Sequence, residues 1–395
     1  MADDLLTLSS LPAYVASLGL FPPEAKLTAT EIGGGNLNYA FCVSSDGPPA
    51  SKDGALLSAV FVKQTPGFVK VLGPEAALSN QRLLTERRAY AEWAAVASDS
   101  RCLPSILHFD EAQMVLVMEF LGTHVLLHDL LFAAAPDFNE ALPPDAACPV
   151  GAMAASIGSF LGTAHAATHT ATVEPERAAE LTAAFENAEL RGLQLEHVFS
   201  KCYREAAGAA SLRDDAAFMA EVDALKQLYG GLAAEGGLSL CHGDCHPGSV
   251  MADGSSGSVK LIDPEFAVYA PPGLDVGCLL SGYALAALYH HAEGRTHAVR
   301  RLVDAVGTLW GAYTAAMAGA SIGRYVLTAT AADAVGFAGC EVARTALGFA
   351  GVRGLPISDA AAKAEAEAAA VELARVCIVR RREGLKVLVD FLEAL

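Results

Sequence analysis

The chain has 395 residues, with 27 Lys and Arg against 45 Asp and Glu, a formal net charge of −18. That length predicts two or three compact units or one two-lobed enzyme, and 53% hydrophobic residues supply a sizeable core, which excludes disorder across the body of the chain. No run of clustered Lys and Arg answers a polyphosphate backbone, so neither nucleic acid nor an anionic membrane surface is expected as a partner.

The first twenty residues carry Asp3 and Asp4 and no basic residue, which fits neither a signal peptide nor a transit peptide. Nine Cys are scattered singly with no CxxC pair, and read as reduced thiols of a cytoplasmic protein. A short helix opens the chain. Glu31-Ile32, the turn Gly33-Gly34-Gly35-Asn36-Leu37-Asn38 and Tyr39 to Val43 then read as strand, glycine turn and strand. Ser44 to Gly54, with Pro48 and Pro49, reads as a loop. Ala59 to Val62 is an apolar strand ending on Lys63, Asn80 to Ala97 carries a helical pattern, and Val115 to Met118 is a buried strand.

Beyond Gly122 the composition turns to Ala- and Leu-rich helices, notably Val150 to Thr168, Ala178 to Ala207 and Ala216 to Ala234. The least polar window, Pro149 to Ala167, is mostly Ala, Gly and Ser with His165 inside. It lacks the Leu, Ile and Phe of a membrane span. A strand-like stretch from Leu238 to Asp263 interrupts the helices, which then run to Leu395 and include Asp359 to Val376. The expected fold class is α+β, with a small β-rich lobe over residues 1–121 and a larger helical lobe over residues 122–395.

The densest chemistry is Cys241-His242-Gly243-Asp244-Cys245-His246-Pro247-Gly248-Ser249, followed by the strand Val259 to Ile262 and then Asp263-Pro264-Glu265. A Gly/Ser turn at Gly254 to Gly257 predicts a hairpin that returns Asp263 to the neighbourhood of Asp244. Two converging carboxylates suit phosphoryl transfer: one orients the attacking hydroxyl and accepts its proton, the other holds Mg2+. A cation such as Lys63 at the end of an apolar strand needs a partner, and an ATP phosphate together with a carboxylate would serve.

The order glycine turn, strand lysine, helix glutamate, hinge, HxD loop and metal aspartate resembles the protein-kinase-like fold. Aminoglycoside and choline kinases share HxD but usually carry Asn five positions after the Asp, where this chain has Ser249. The run from His242 to Ser249, Asp263-Pro264-Glu265-Phe266-Ala267, the GGNLN turn and Val62-Lys63-Gln64 are together similar to the 5-methylthioribose kinase family. So are Val117-Met118-Glu119, Pro272-Gly273-Leu274-Asp275-Val276-Gly277 and Gly336-Phe337-Ala338-Gly339-Cys340.

The resemblance implies that Asp244 is the catalytic aspartate and contacts the sugar. It implies that Asp263 and Glu265, flanking Pro264, hold Mg2+ on ATP, and that Asn36 and Asn38 fix the glycine turn over the nucleotide. Glu119, Phe120 and Leu121 would present hinge backbone groups to adenine. Glu92 is the first choice for the partner of Lys63 and Glu86 the alternative. Arg344 matches the first member of the family's Arg-Arg pair, Thr345 stands in place of the second, and Arg353 is a candidate substitute on the substrate side. His242 and His246 are expected to stabilise the loop, and His165 and His169 to pack helices. The implied cofactors are ATP and Mg2+, the implied substrate is 5-methylthioribose, and a homodimer is implied. The other readings are a kinase of the same fold for another sugar, homoserine, choline or an aminoglycoside, and a pseudoenzyme scaffold.

Overall fold

The computed structural model describes residues 5–47, 50–52, 55–97, 101–133, 149–231, 234–350 and 354–395. Contacts divide the chain into two compact units, residues 1–90 with 103–123, and residues 91–102 with 124–395. The second unit thus takes a short piece of the N-terminal third as well as the whole C-terminal part.

The first unit is built on a five-stranded antiparallel sheet. Its strands are β1 (Leu27–Glu31), β2 (Tyr39–Ser45), β5 (Ala59–Gln64), β7 (Val115–Glu119) and β6 (Ile106–Asp110), paired in that order. The stretch expected as a loop before β5 contains a small hairpin, β3 (Ala50–Lys52) and β4 (Ala55–Leu57). Side chains alternate across a strand with period two. One face of the sheet therefore collects Phe41, Val43, Val60, Val62, Val115 and Val117, closed by Leu11 and Val15 of the helix Leu11–Ser17. Val115 to Met118 are all buried, as expected of a strand covered on both faces. Lys63 falls between Ala40 and Leu116 in register, and so points to the face opposite Val62.

The second unit is mainly helical. The helix Pro149–Thr168 packs closely on Thr296–Gly319 because Gly158 and Gly162 admit the backbone of that helix. A Cβ at either position would lie 2.2 or 2.5 Å from the carbonyl oxygens of Leu309 and Tyr313. The segment expected as one helix from Ala178 to Ala207 is instead broken. Helix Pro175–Ala184 ends at Phe185, Asn187 takes a left-handed conformation (φ 44°), helix Ala188–Glu196 follows, and residues His197–Lys201 form a π-turn. Arg324–Ala346 is long and apolar enough to cross a membrane by length and composition, and 72% of its apolar window is buried inside the protein.

Short strands interrupt the helices where the sequence chemistry is densest. β9 (Ser239–Cys241) pairs with β12 (Val268–Ala270). β10 (Val250–Ala252) forms the expected hairpin with β11 (Val259–Leu261), and β8 (Val125–Leu126) adds to its other edge. All eight described cysteines are free thiols, and seven of them are buried.

Candidate active site

In the first unit the strand cation is resolved by pairing. Lys63 is 5% exposed and Glu86 0%, and the Lys63 Nζ stands 2.5 Å from Glu86 Oε2. This corrects the choice of Glu92. On the helix Arg82–Val96 the two glutamates are six residues apart, about 240° around the axis, so only one can face the sheet. Glu92 instead pairs with Arg177, at 2.5 Å, on a partly exposed surface of the second unit. A buried ion pair offsets the desolvation of both members only while both are present. The strand therefore tolerates Lys63 because Glu86 is there.

The glycine turn is anchored by a residue the sequence reading passed over. Arg82, 3% exposed, donates from Nε and Nη2 to Asn38 Oδ1 at 3.2 and 3.0 Å and from Nη2 to the Leu37 carbonyl at 3.0 Å. Asn38 is buried and fixes the turn from within, whereas Asn36 is exposed and its carbonyl accepts from the Val71 N–H. Glu119 closes β7, where its backbone N–H donates to Ser105 O and its carboxylate accepts from Ser105 N–H. Phe120, next along, is 40% exposed.

The second unit holds the HxD loop. β9 delivers the chain to His242 and Gly243, whose N–H groups donate to Asp275 Oδ2 and Oδ1 at 2.6 and 2.9 Å. Asp275 is fully buried and also meets His165 Nε2 at 3.1 Å, while His165 Nδ1 meets the Tyr313 hydroxyl at 3.2 Å. Asp275 lay within a motif noted for resemblance, but nothing in the sequence attached a role to it. His165, expected to pack helices, supports this carboxylate as well. Gly243 has φ 85°, and a Cβ there would stand 2.0 Å from the Phe266 carbonyl oxygen. No other residue type meets both conditions.

Asp244 is the part-exposed end of this mesh, its side chain 20% exposed. Gln194 Nε2 donates to its Oδ1 at 3.3 Å, and His246 Nε2 lies 3.5 Å from its Oδ2. The Gly248 N–H donates to His246 Nδ1 at 2.9 Å, so that nitrogen is unprotonated and the ring presents an Nε2–H to Asp244. The HxD loop and the DPE turn are stitched together: Ser249 Oγ donates to the Asp244 carbonyl, Ile262 N–H to the Ser249 carbonyl, and His242 Nε2 to the Ile262 carbonyl. His242 also stacks on Trp93, with ring centroids 6.1 Å apart. Both histidines of the motif hold the loop, as expected.

Asp263 adopts a left-handed backbone (φ 66°, ψ 44°) before the turn Pro264–Phe266. Such a conformation costs a non-glycine residue about 1–3 kcal/mol, which the surroundings must offset. Asn187 does so from the helix break, donating Nδ2–H to the Glu265 and Ala267 carbonyls at 2.9 and 3.1 Å. Glu265 is 3% exposed. Two carboxylates in one turn form a hard-oxygen donor set, which suits a magnesium-type cation and not a thiophilic one.

Arg344 is 6% exposed and its Nη2 donates to Glu341 Oε2 at 2.7 Å. Burial opposes its charge, but Glu341 and then Asp244 outweigh that and raise its pKa. Thr345 sends its hydroxyl back to the Glu341 carbonyl on its own helix, so it supplies no substitute for a second arginine. Arg353 lies outside the described residues. Burial pushes the Cys241, Cys245 and Cys278 thiols well up, which removes them as nucleophiles.

The model of the phosphotransferase enzyme family matches residues 54–319, about two thirds of the chain. A methylthioribose kinase of Pectobacterium atrosepticum is 30% identical over 366 residues, covering 85% of this chain and 83% of its own. Those of Bacillus pumilus and Exiguobacterium sibiricum are 29% and 28% identical, covering 87% and 97% of this chain and 85% and 95% of theirs. A solved glucosamine kinase in complex with glucosamine, ADP and inorganic phosphate aligns over 85% of this chain and 77% of its own, with 14% identity and a TM-score of 0.47. The chain therefore belongs to the phosphotransferase enzyme family and groups there with the methylthioribose kinases.

Proposed function

We propose that the chain transfers the γ-phosphoryl group of ATP to the 1-hydroxyl of 5-methylthioribose. The observation that carries the reading is the Asp244 carboxylate, left part-exposed on a loop whose backbone hangs from buried Asp275. The acceptor identity draws on relatives named methylthioribose kinase that match over most of their length. In the step proposed, Asp244 accepts the hydroxyl proton as the sugar oxygen bonds to the γ-phosphorus. The bond from that phosphorus to the β–γ bridging oxygen breaks, and ADP leaves.

Lys63, paired with Glu86, serves the ATP phosphates. Asn36 and Asn38 shape the glycine turn for the nucleotide, and the Glu119, Phe120 and Leu121 backbone serves adenine. Asp263 and Glu265 would hold Mg2+, which when bound neutralises phosphate charge. Arg344 supplies a buried cation for the acceptor or the transferring oxygens, and its Nε–H has no hydrogen-bond partner among the described residues. The soluble cytoplasmic setting and the homodimer belong to this reading through the family resemblance; light scattering of the purified protein showing a monomer would overturn the dimer.

An ADP-coupled assay over an acceptor panel tests the reading. Methylthioribose is expected to give the highest kcat/KM, and faster turnover of choline, an aminoglycoside or another sugar would overturn the substrate. Asp244→Asn is expected to lower kcat by about 10³-fold or more with ATP binding retained; unchanged turnover would remove Asp244 from the chemistry.

A further inference from the structure

Gln194 is a buried amide on the wall behind the HxD loop, 8% exposed, in the last turn of the helix Ala188–Glu196. Burying an amide without a partner costs about 1–3 kcal/mol. Among the described residues its side chain makes one hydrogen bond, from Nε2 to Asp244 Oδ1. It lines a cavity of about 10 Å³ whose remaining wall includes Val198, Phe199, Tyr229, Leu274, Phe337 and Glu341. That is room for about one water molecule, too little for a substrate. Helix Ala188–Glu196 runs directly into the π-turn His197–Lys201, which supplies Val198 and Phe199 to the same wall. A π-turn inserts one extra residue into a helical turn, and such turns concentrate at functional sites. Here it follows directly on the helical turn that carries Gln194.

We propose that Gln194 is a positioning residue for the phosphotransfer: its amide holds Asp244 Oδ1, so that the carboxylate keeps its orientation toward the acceptor hydroxyl. A neutral donor suits that task. It orients the carboxylate, whereas a cation at the same distance would also lower its affinity for the proton. The inference rests on the reading of Asp244 as the base.

The experiment measures kcat and both KM values, per ATP-binding site counted by equilibrium dialysis, for Gln194→Leu and Gln194→Glu beside Asp244→Asn. Gln194→Leu keeps the volume and removes the donor. Gln194→Glu keeps the shape and places an anion against Asp244. Both are expected to lower kcat by about 10–100-fold while the KM for ATP stays within about twofold, with Gln194→Glu the slower of the two. If Asp244→Asn retains full turnover, the reading of the base fails. If Asp244→Asn is inactive while either Gln194 variant keeps wild-type kcat, the positioning role fails and the base stands. A fall in ATP-binding sites with unchanged kcat per site makes Gln194 structural only and overturns the proposal. Gln194→Glu is close to isosteric, so it decides the question should Gln194→Leu not fold.

Discussion

Lys63 in the first unit and Asp244 in the second are both charges set among apolar segments, yet the chain secures them in opposite ways. Lys63 is almost wholly buried and is matched by a full opposite charge at 2.5 Å. Asp244 stays part-exposed and is held by an amide, an imidazole Nε2–H and a backbone tied to Asp275. The difference fits the roles proposed for the two groups. A phosphate-binding cation must stay protonated, and a buried carboxylate partner favours that state. A base must be able to take a proton, and neutral donors orient it at less cost to its basicity. The second unit places its strongest carboxylate anchor, Asp275, one layer further in, on backbone groups instead of on Asp244 itself.

The largest break in this comparison should come from Asp275→Ala. It leaves two buried N–H groups and the buried His165 without their acceptor, and each lost partner costs about 1–3 kcal/mol. A loss of about 4 kcal/mol or more is expected in denaturant unfolding, together with loss of turnover. Glu86→Ala should come next. Stranding the Lys63 charge costs about 3–5 kcal/mol and should raise the KM for ATP. Glu92→Ala is its control: the Arg177 pair is partly exposed, so less than about 1 kcal/mol and little change in ATP binding are expected. Equal effects from Glu86 and Glu92 would undo the assignment of Lys63's partner.

Another buried charge shows that pairing alone does not settle ionisation. Asp333 accepts from Arg381 Nη1 at 3.0 Å, yet burial pushes its carboxyl up to about 6 against the opposing pull of Arg381. A raised carboxyl binds its proton more tightly when folded. Its contribution to stability is present in full below the unfolded value, 3.8, and is lost as the pH rises through about 6. Linkage bounds that loss at about 3 kcal/mol. In Asp333→Asn the decline of unfolding free energy from pH 4 to pH 6 should become shallower, as urea titrations at several pH values would show. An unchanged slope would place the proton elsewhere.

Local spacing made the site legible where its parts are close along the chain. The HxD loop, the hairpin Val250–Ala252 with Val259–Leu261 and the DPE turn lie within one short stretch, and a Gly/Ser turn between strands returns the chain on itself. The glycine turn and the strand ending on Lys63 were readable for the same reason. Partners chosen by helix phase or by distant packing were not. The sequence reading prefers Glu92 to Glu86, and a rotation of about 240° around the helix reverses that choice. Arg82 reads as one of three arginines on a helix until its guanidinium is found under Asn38. Asn187 and Gln194 sit in a stretch that reads as continuous helix, because neither the left-handed residue nor the π-turn has a strong signature there.

By itself the sequence determined the two kinds of secondary structure, the strand cation, the HxD loop and the carboxylate turn. Each of these depends on local periodicity or on backbone chemistry that particular residues enforce, as Gly243 does. Only the tertiary structure decided which carboxylate neutralises Lys63, which one anchors the HxD loop and which amide holds Asp244. Those choices depend on which side chains burial brings within hydrogen-bond reach. The net charge of −18 marks the solvated exterior, and the few charges drawn into the interior are set by their buried partners.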